Sequence, residues 1–166
     1  MKIYLIGYMA SGKTNVGKEL AELLKMDFID LDEVFEERYH VSILDFFGKY
    51  GEGLFRNFER QILRDTASRQ NTVVSTGGGT PCFFDNMSFI KENGFSVFLN
   101  MPFDELICRL TMIRKRRPLL KGVREDELED FVRNQLKERE PFYNRADLIL
   151  EGPDYDLKEI IAHLNK

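Results

Sequence analysis

One stretch constrains this chain more than any other: Ile3 to Gly17, reading IYLIGYMASGKTNVG. An apolar run, Ile3-Tyr4-Leu5-Ile6, leads into Gly7-x-x-x-x-Gly12-Lys13-Thr14. That order of strand, loop, Lys-Thr and helix is the layout of a phosphate-binding loop. Glycines let the backbone curl until several N–H groups point inward at phosphate oxygens. A lysine ammonium reaches the β and γ phosphates, and a threonine hydroxyl can ligate Mg²⁺, which prefers oxygen. The helix starting near Gly12 adds its positive N-terminal dipole. Val16, Leu20, Leu23 and Leu24 fall at helical spacing and support that helix. The plainer alternative is a chance glycine turn, which leaves the Lys-Thr pair unexplained.

The 166 residues suit one domain, 1–166, with a single core. At 43 % hydrophobic and 31 % charged, the composition is that of a globular protein. A net charge of −4 gives no basic field to recruit nucleic acid or a membrane surface. No apolar run is long enough to span a bilayer, and the N-terminus lacks a signal peptide's layout. Cys82 and Cys108 make no metal spacing, so two reduced thiols and a cytoplasmic setting are expected.

Short apolar runs alternate with helical patterns along the chain. Met26 to Asp30 reads as a second strand ending in acid, followed by a helix to Tyr39 with Leu31, Val34 and Phe35 on one face. Ser42 can cap a short helix that Gly51 breaks. A longer helix from about Gly53 to Ser68 turns Leu54, Phe55, Phe58, Ile62 and Leu63 to the core. Thr72 to Thr76 and Phe95 to Leu99 are further strands, with a helix from Asp85 to Asn93 between them. Asp104 to Met112, Glu125 to Glu140 and Tyr155 to Asn165 read as helices, and Asp147 to Leu150 as a last strand. Ile113 to Arg124 is basic, poorly periodic and read as a mobile loop. Five strands alternating with helices predict an α/β fold: a parallel sheet covered on both faces, with ligands at the strands' carboxyl ends.

Chemistry-bearing residues cluster at those ends. Asp30 and Asp32 follow the second strand, where a carboxylate can hold a metal-bound water or orient an attacking hydroxyl. Equally, Asp32 could only cap the next helix. Arg56 and Glu59 stand three apart on a helix, so the carboxylate can aim the guanidinium at a ligand anion. A solvated surface pair is the plainer alternative. Gly77-Gly78-Gly79 permits close backbone approach to a ligand, or is a loose turn. Arg114-Lys115-Arg116-Arg117 is the densest cationic run. In an acidic chain it speaks weakly for RNA, and beside a phosphate loop it suits a segment closing over a triphosphate.

Together the motifs resemble the shikimate kinase family, from Met1 to about Leu150. The resemblance rests on Gly7 to Thr14, Asp30-Leu31-Asp32, Gly51 to Glu59, Gly77-Gly78-Gly79, Arg117-Pro118-Leu119-Leu120 and Arg139-x-Pro141-x-Tyr143. It implies a three-layer α/β/α fold like the nucleoside-monophosphate kinases, with strand order 2-3-1-4-5 and a mobile lid. An acceptor region at about 31–62 and a lid at about 112–125 follow from it. The implied reaction moves the γ-phosphoryl of ATP to the 3-hydroxyl of shikimate, with Mg²⁺, in a cytoplasmic monomer. Gly7, Ala10, Ser11, Gly12, Lys13, Thr14 and Asn15 would hold the nucleotide's phosphates, and Arg109 would stack on adenine. Thr14 would ligate Mg²⁺ directly and Asp30 through water, with Ser75 near the metal's waters. Lys13, Asp32 and Arg117 would be catalytic, Asp32 as acceptor of the hydroxyl proton. Arg56 and Arg139 would grip the carboxylate, oriented by Glu59, with Gly78 and Gly79 lining the ring. The loop Leu150-Glu151-Gly152-Pro153-Asp154 is shorter than the family's adenine loop.

Two rivals differ in testable ways. Another small kinase, of a nucleoside monophosphate or gluconate, would lack the Arg56/Arg139 fork. A guanine-nucleotide switch would explain Asn144-Arg145-Ala146-Asp147, but that run has Arg in place of Lys and precedes a strand instead of following one.

Overall fold

The computed structural model describes residues 1–113 and 117–165. Arg114 and Arg116 of the cationic run therefore lie outside the described residues. Five strands, β1 (Lys2–Ile6), β2 (Asp27–Asp30), β3 (Thr72–Ser75), β4 (Phe95–Asn100) and β5 (Leu148–Glu151), form one sheet in the order β2-β3-β1-β4-β5. Every pairing is parallel, as the alternation of strands and helices predicts. β1 lies at the centre, and the chain returns to either side of it. That places the turn after β1 at the switch point of the sheet.

Period-two alternation sorts the strand side chains between two apolar layers. Ile3, Leu5, Val73, Val97, Leu99, Leu148 and Leu150 pack against α1 (Lys13–Leu24) and α7 (Leu157–Leu164). Tyr4, Ile6, Val74 and Phe98 pack against the larger layer. That layer is built from α2 (Leu31–Tyr39), α3 (Ile43–Asp65), α4 (Asn86–Asn93), α5 (Phe103–Ile113) and α6 (Leu128–Tyr143). The three-layer α/β/α arrangement follows.

α3 is two helical segments that meet end to end at Gly51, the break that the sequence predicts, and other local expectations change. Ser42 caps it by accepting from the Asp45 N–H, and Gly51 interrupts it with φ 82° and ψ 172°. Leu54, expected in the core, is 41 % exposed, because it lies about 100° around the helix from Phe55, outside the arc that Phe55, Ile62 and Leu63 bury. Leu23 is 56 % exposed on the outer side of α1, while Leu20 on the inner side is fully buried. A 3₁₀ turn at Glu125–Glu127 precedes α6, which runs through Pro141 to Tyr143. Asp156 caps α7 from the Lys158 N–H, so Tyr155 stands before that helix and is free to face the loop after β1. No helix among the described residues is long and apolar enough to cross a membrane.

Candidate active site

The carboxyl ends of β1, β2 and β3 open into two joined cavities of about 500 and 350 Å³. Met9, Thr14, Asp30, Asp32, Gly78 and Arg117 line both, so the cavities are halves of one cleft. Parallel register makes this convergence: Asp30 pairs with Ser75, and Ser75 with Leu5, so the ends of three strands form one row.

The smaller half is built on the loop after β1. Ala10 and Gly12 take left-handed conformations, φ 62° and 94°, that curl the backbone into the start of α1. The Lys13 ammonium is buried and donates to the carbonyls of Gly7 and Tyr8, at 2.9 and 2.8 Å. Burial pulls its pKa down to about 8, against the opposing pull of the nearby Asp32. Asn15 and Ser75 also line this half. Gly7 and Ser11 lie behind the lining: the Ser11 side chain is fully buried, and Gly7 packs against it and the Leu99 carbonyl. Arg109 donates to the Ala10 carbonyl at 3.3 Å and to Glu105 at 3.0 Å. Tyr155 donates to the Ser11 carbonyl at 2.9 Å. These two side chains brace the loop from its outer side.

Where the halves meet, Thr14 donates to Asp30 Oδ2 at 2.7 Å. Asp30 Oδ1 accepts from the Asp32 N–H at 3.0 Å, so Asp30, and not Asp32, caps α2. Asp32 is thereby left to point into the cleft in the first turn of that helix. Surrounding protein and the carboxylates of Asp30 and Glu59 push its pKa up to about 6, with Arg117 and Lys13 pulling the other way. The Thr14 hydroxyl and the Asp30 carboxylate are oxygen donors in contact with each other. That set suits a hard cation that keeps several of its waters. Among the described residues no group of three or more His, Cys, Asp or Glu is placed to hold a metal ion.

The larger half is lined by Arg56, Glu59, Gly77, Gly78, Gly79 and Arg139, with Phe47, Phe55 and Leu119 as apolar wall. Arg56 and Glu59 are each 4 % exposed, which removes the surface-pair alternative. Arg56 Nη1 donates to Glu59 Oε1 at 2.9 Å, while Nε and Nη2 reach Glu52 Oε1 at 3.3 and 3.2 Å. The guanidinium also lies 4.2 Å from the Phe83 ring centre. A β-carbon on Gly79 would sit 2.5 Å from Arg56 Nη2, so only a glycine lets the guanidinium lie against this loop. Arg139 is 5 % exposed and lies over the Tyr8 ring, next to Gly78. Tyr143 donates to the Gly78 carbonyl and fixes the loop from α6.

The cleft thus brings together a cationic phosphate loop, a carboxyl able to ionise near neutrality and two buried guanidiniums. Such a set can bind two anions and pass a phosphoryl group between them. Thr80 and Tyr155 carry contacts that the sequence reading missed. Thr80 donates to Glu59 Oε2 at 2.8 Å, and its one sequence signal is a hydroxyl directly after three glycines. Tyr155 was assigned to a helix, and nothing in the pattern points it at the loop 144 residues away.

A profile of the shikimate kinase family matches residues 9–165. The shikimate kinase of Bacteroides thetaiotaomicron is 44 % identical over 156 residues, covering 94 % of this chain and 89 % of that protein. The structure of the Acinetobacter baumannii shikimate kinase in complex with shikimate superposes with a TM-score of 0.88. It is 34 % identical and covers 99 % of this chain and 90 % of that one. A gluconokinase from Sinorhizobium meliloti is similar at a TM-score of 0.56 and 19 % identity, covering 97 % and 87 %, a likeness of fold alone.

Proposed function

This chain belongs to the shikimate kinase family and phosphorylates shikimate with ATP, and we propose that the acceptor is the 3-hydroxyl and that the residues of the cleft divide the work as follows. The loop from Gly7 to Asn15 holds the triphosphate, chiefly through backbone N–H groups and Lys13. Thr14 would hold Mg²⁺ directly and Asp30 through water, with Ser75 near the waters, and a bound ion would supply positive charge beside the nucleotide's phosphates. Arg109 stacks on the adenine. Arg56 and Arg139 grip the shikimate carboxylate, Glu59 orients Arg56, and Gly78 and Gly79 line the ring.

Asp32 takes the proton of the attacking hydroxyl and returns it to water. The bond from that oxygen to the γ phosphorus forms as the bond to the bridging oxygen breaks, and ADP leaves. Lys13 and Arg117 neutralise the charge spread over the transferring oxygens. Residues 31–62 form the acceptor region, and a lid over the cleft is supported by Arg117, Pro118 and Leu119, which line it. The protein acts as a monomer in the cytoplasm.

One observation carries this reading: the residues shared by the two halves include Asp32, Thr14, Asp30 and Arg117, so proton acceptor, metal donors and cation stand on the wall between donor and acceptor. A coupled assay of ADP release, with phosphorus NMR of the product, tests it. Mg²⁺-dependent turnover of shikimate to the 3-phosphate is expected. Turnover of AMP or gluconate with shikimate inert, or a phosphate on another hydroxyl, would reject it.

A further inference from the structure

The Arg56 guanidinium has two carboxylate partners of unlike character. Glu52 is 41 % exposed at its side chain, where water weakens the pairing. Glu59 is almost wholly buried, and its carboxylate directs Arg56 from below. A buried carboxylate holds one orientation only when both oxygens are satisfied. Oε1 accepts from Arg56 Nη1 at 2.9 Å, and Oε2 accepts from Thr80 Oγ1 at 2.8 Å. Thr80 is fully buried and does not line the cavity, so it has no contact with a molecule bound there.

The position of Thr80 is itself fixed from several directions. It opens the 3₁₀ turn Thr80–Cys82 after the glycine loop. Its N–H donates to the Gly77 carbonyl at 3.1 Å, and its carbonyl accepts from Asn86 Nδ2 at 2.9 Å. Asn86, at the start of α4, is also fully buried. A continuous chain of hydrogen bonds therefore runs from α4 through Thr80 and Glu59 to Arg56. Its middle also approaches the proton acceptor: a β-carbon on Gly77 would lie 2.7 Å from Glu59 Oε2, 2.9 Å from Thr80 Oγ1 and 3.1 Å from Asp32 Oδ1.

We infer that Thr80 is a positioning residue for the acceptor carboxylate, its hydroxyl acting through Glu59 to hold Arg56 in the orientation the carboxylate grip requires. The inference rests on the assignment of Arg56 to that grip. Without the hydroxyl, Glu59 Oε2 is left buried and unpaired, the carboxylate turns to find another donor, and the fork it aims turns with it. The loss falls on binding of the anionic end of the acceptor. The nucleotide half is untouched.

The test compares Thr80→Val and Thr80→Ser for shikimate and for shikimate methyl ester, whose carboxyl is neutral. For Thr80→Val, kcat/KM for shikimate should fall about tenfold, with the ester and the KM for ATP within about twofold of the unsubstituted enzyme. Thr80→Ser, which keeps the donor, should restore shikimate turnover. Equal losses for acid and ester, or no loss for either, would overturn the role. If the valine variant does not fold, Thr80→Ala removes the hydroxyl without pressing a methyl on the carboxylate, and the same ratio decides. Arg56→Ala separates the two levels of the argument. If it also leaves the acid-to-ester ratio unchanged, the grip itself is wrong. If it abolishes the preference while Thr80→Val does not, only the role of Thr80 is lost.

Discussion

Asp32 sits between opposing charges, and their balance decides when it can accept a proton. Its pKa of about 6 means that acid protonates it in the folded protein, so kcat/KM for shikimate should rise through that region and then level. Asp32→Asn should remove both the rise and most of the activity. Lys13 titrates at about 8 in the free protein, so kcat/KM for ATP should fall above that pH. Bound phosphates favour its charged form, which moves the corresponding fall in kcat to higher pH. Stability follows the same pKa values. The Asp32 carboxyl binds its proton more tightly folded than unfolded, so its stabilisation is present in acid and lost as pH rises through about 6. The Lys13 contribution is lost as pH falls through about 8. A profile of rate against pH that is flat from 5 to 9 would contradict both assignments. The arginines should separate by kinetic parameter. Arg117→Ala should lower kcat by about 10²-fold with a smaller change in shikimate KM, because its charge acts on the transferring group. Arg56→Ala should chiefly raise the shikimate KM. An unchanged kcat for Arg117→Ala would remove Arg117 from the reaction.

At the scale of elements, α3 shows how far periodicity reaches. Phe55, Ile62 and Leu63 are buried as their spacing requires. Leu54 is not, because it lies about 100° around the helix from Phe55, outside the arc that Phe55, Ile62 and Leu63 bury. With φ 82° and ψ 172°, Gly51 occupies a region that side-chain-bearing residues avoid. Gly51→Ala should therefore destabilise the fold by about 1–3 kcal/mol, although its surroundings leave room for a methyl. Urea unfolding measures this, and a midpoint equal to that of the unsubstituted protein would show that the bend bears no strain. The bend also carries Glu52 and Arg56 on the segment after it, so the variant should raise the shikimate KM as well. The strands were legible because each is short with an apolar centre, even where, as in β2, acid flanks it. Helix starts were legible where a capping side chain marks them, as at Ser42. They were misread where the cap sits one residue beyond the expected start, as at Asp156.

For the molecule as a whole, the proposed function seats two ligands in one cleft whose walls come from both sides of the sheet. A ligand that binds only the folded form stabilises it by mass action, about 2.7 kcal/mol at one hundred times its dissociation constant. Shikimate and ATP should each raise the melting temperature of this protein, and Arg56→Ala should abolish the shift with shikimate while keeping that with ATP. Thermal unfolding with each ligand alone measures this. An equal loss of both shifts would mean that Arg56 supports the fold and not the acceptor.

The sequence carried the acceptor half only through the family resemblance, and carried the phosphate-loop motif and the parallel α/β fold directly. These follow from local spacing: a strand-loop-helix motif, period-two runs and helical stripes depend only on neighbours along the chain. It also left Arg56 and Glu59 with two readings, buried fork or surface pair, because spacing fixes a helix face and not what covers it. Tertiary structure decided that question by folding the Gly77–Gly79 loop and Phe83 over the pair. It decided which aspartate caps α2 and which faces the cleft. It also brought Thr80 to Glu59 and Tyr155 to the phosphate loop. Those contacts join residues far apart in sequence, and only the parallel register of the strands and the packing of helices on both faces bring them within hydrogen-bonding distance.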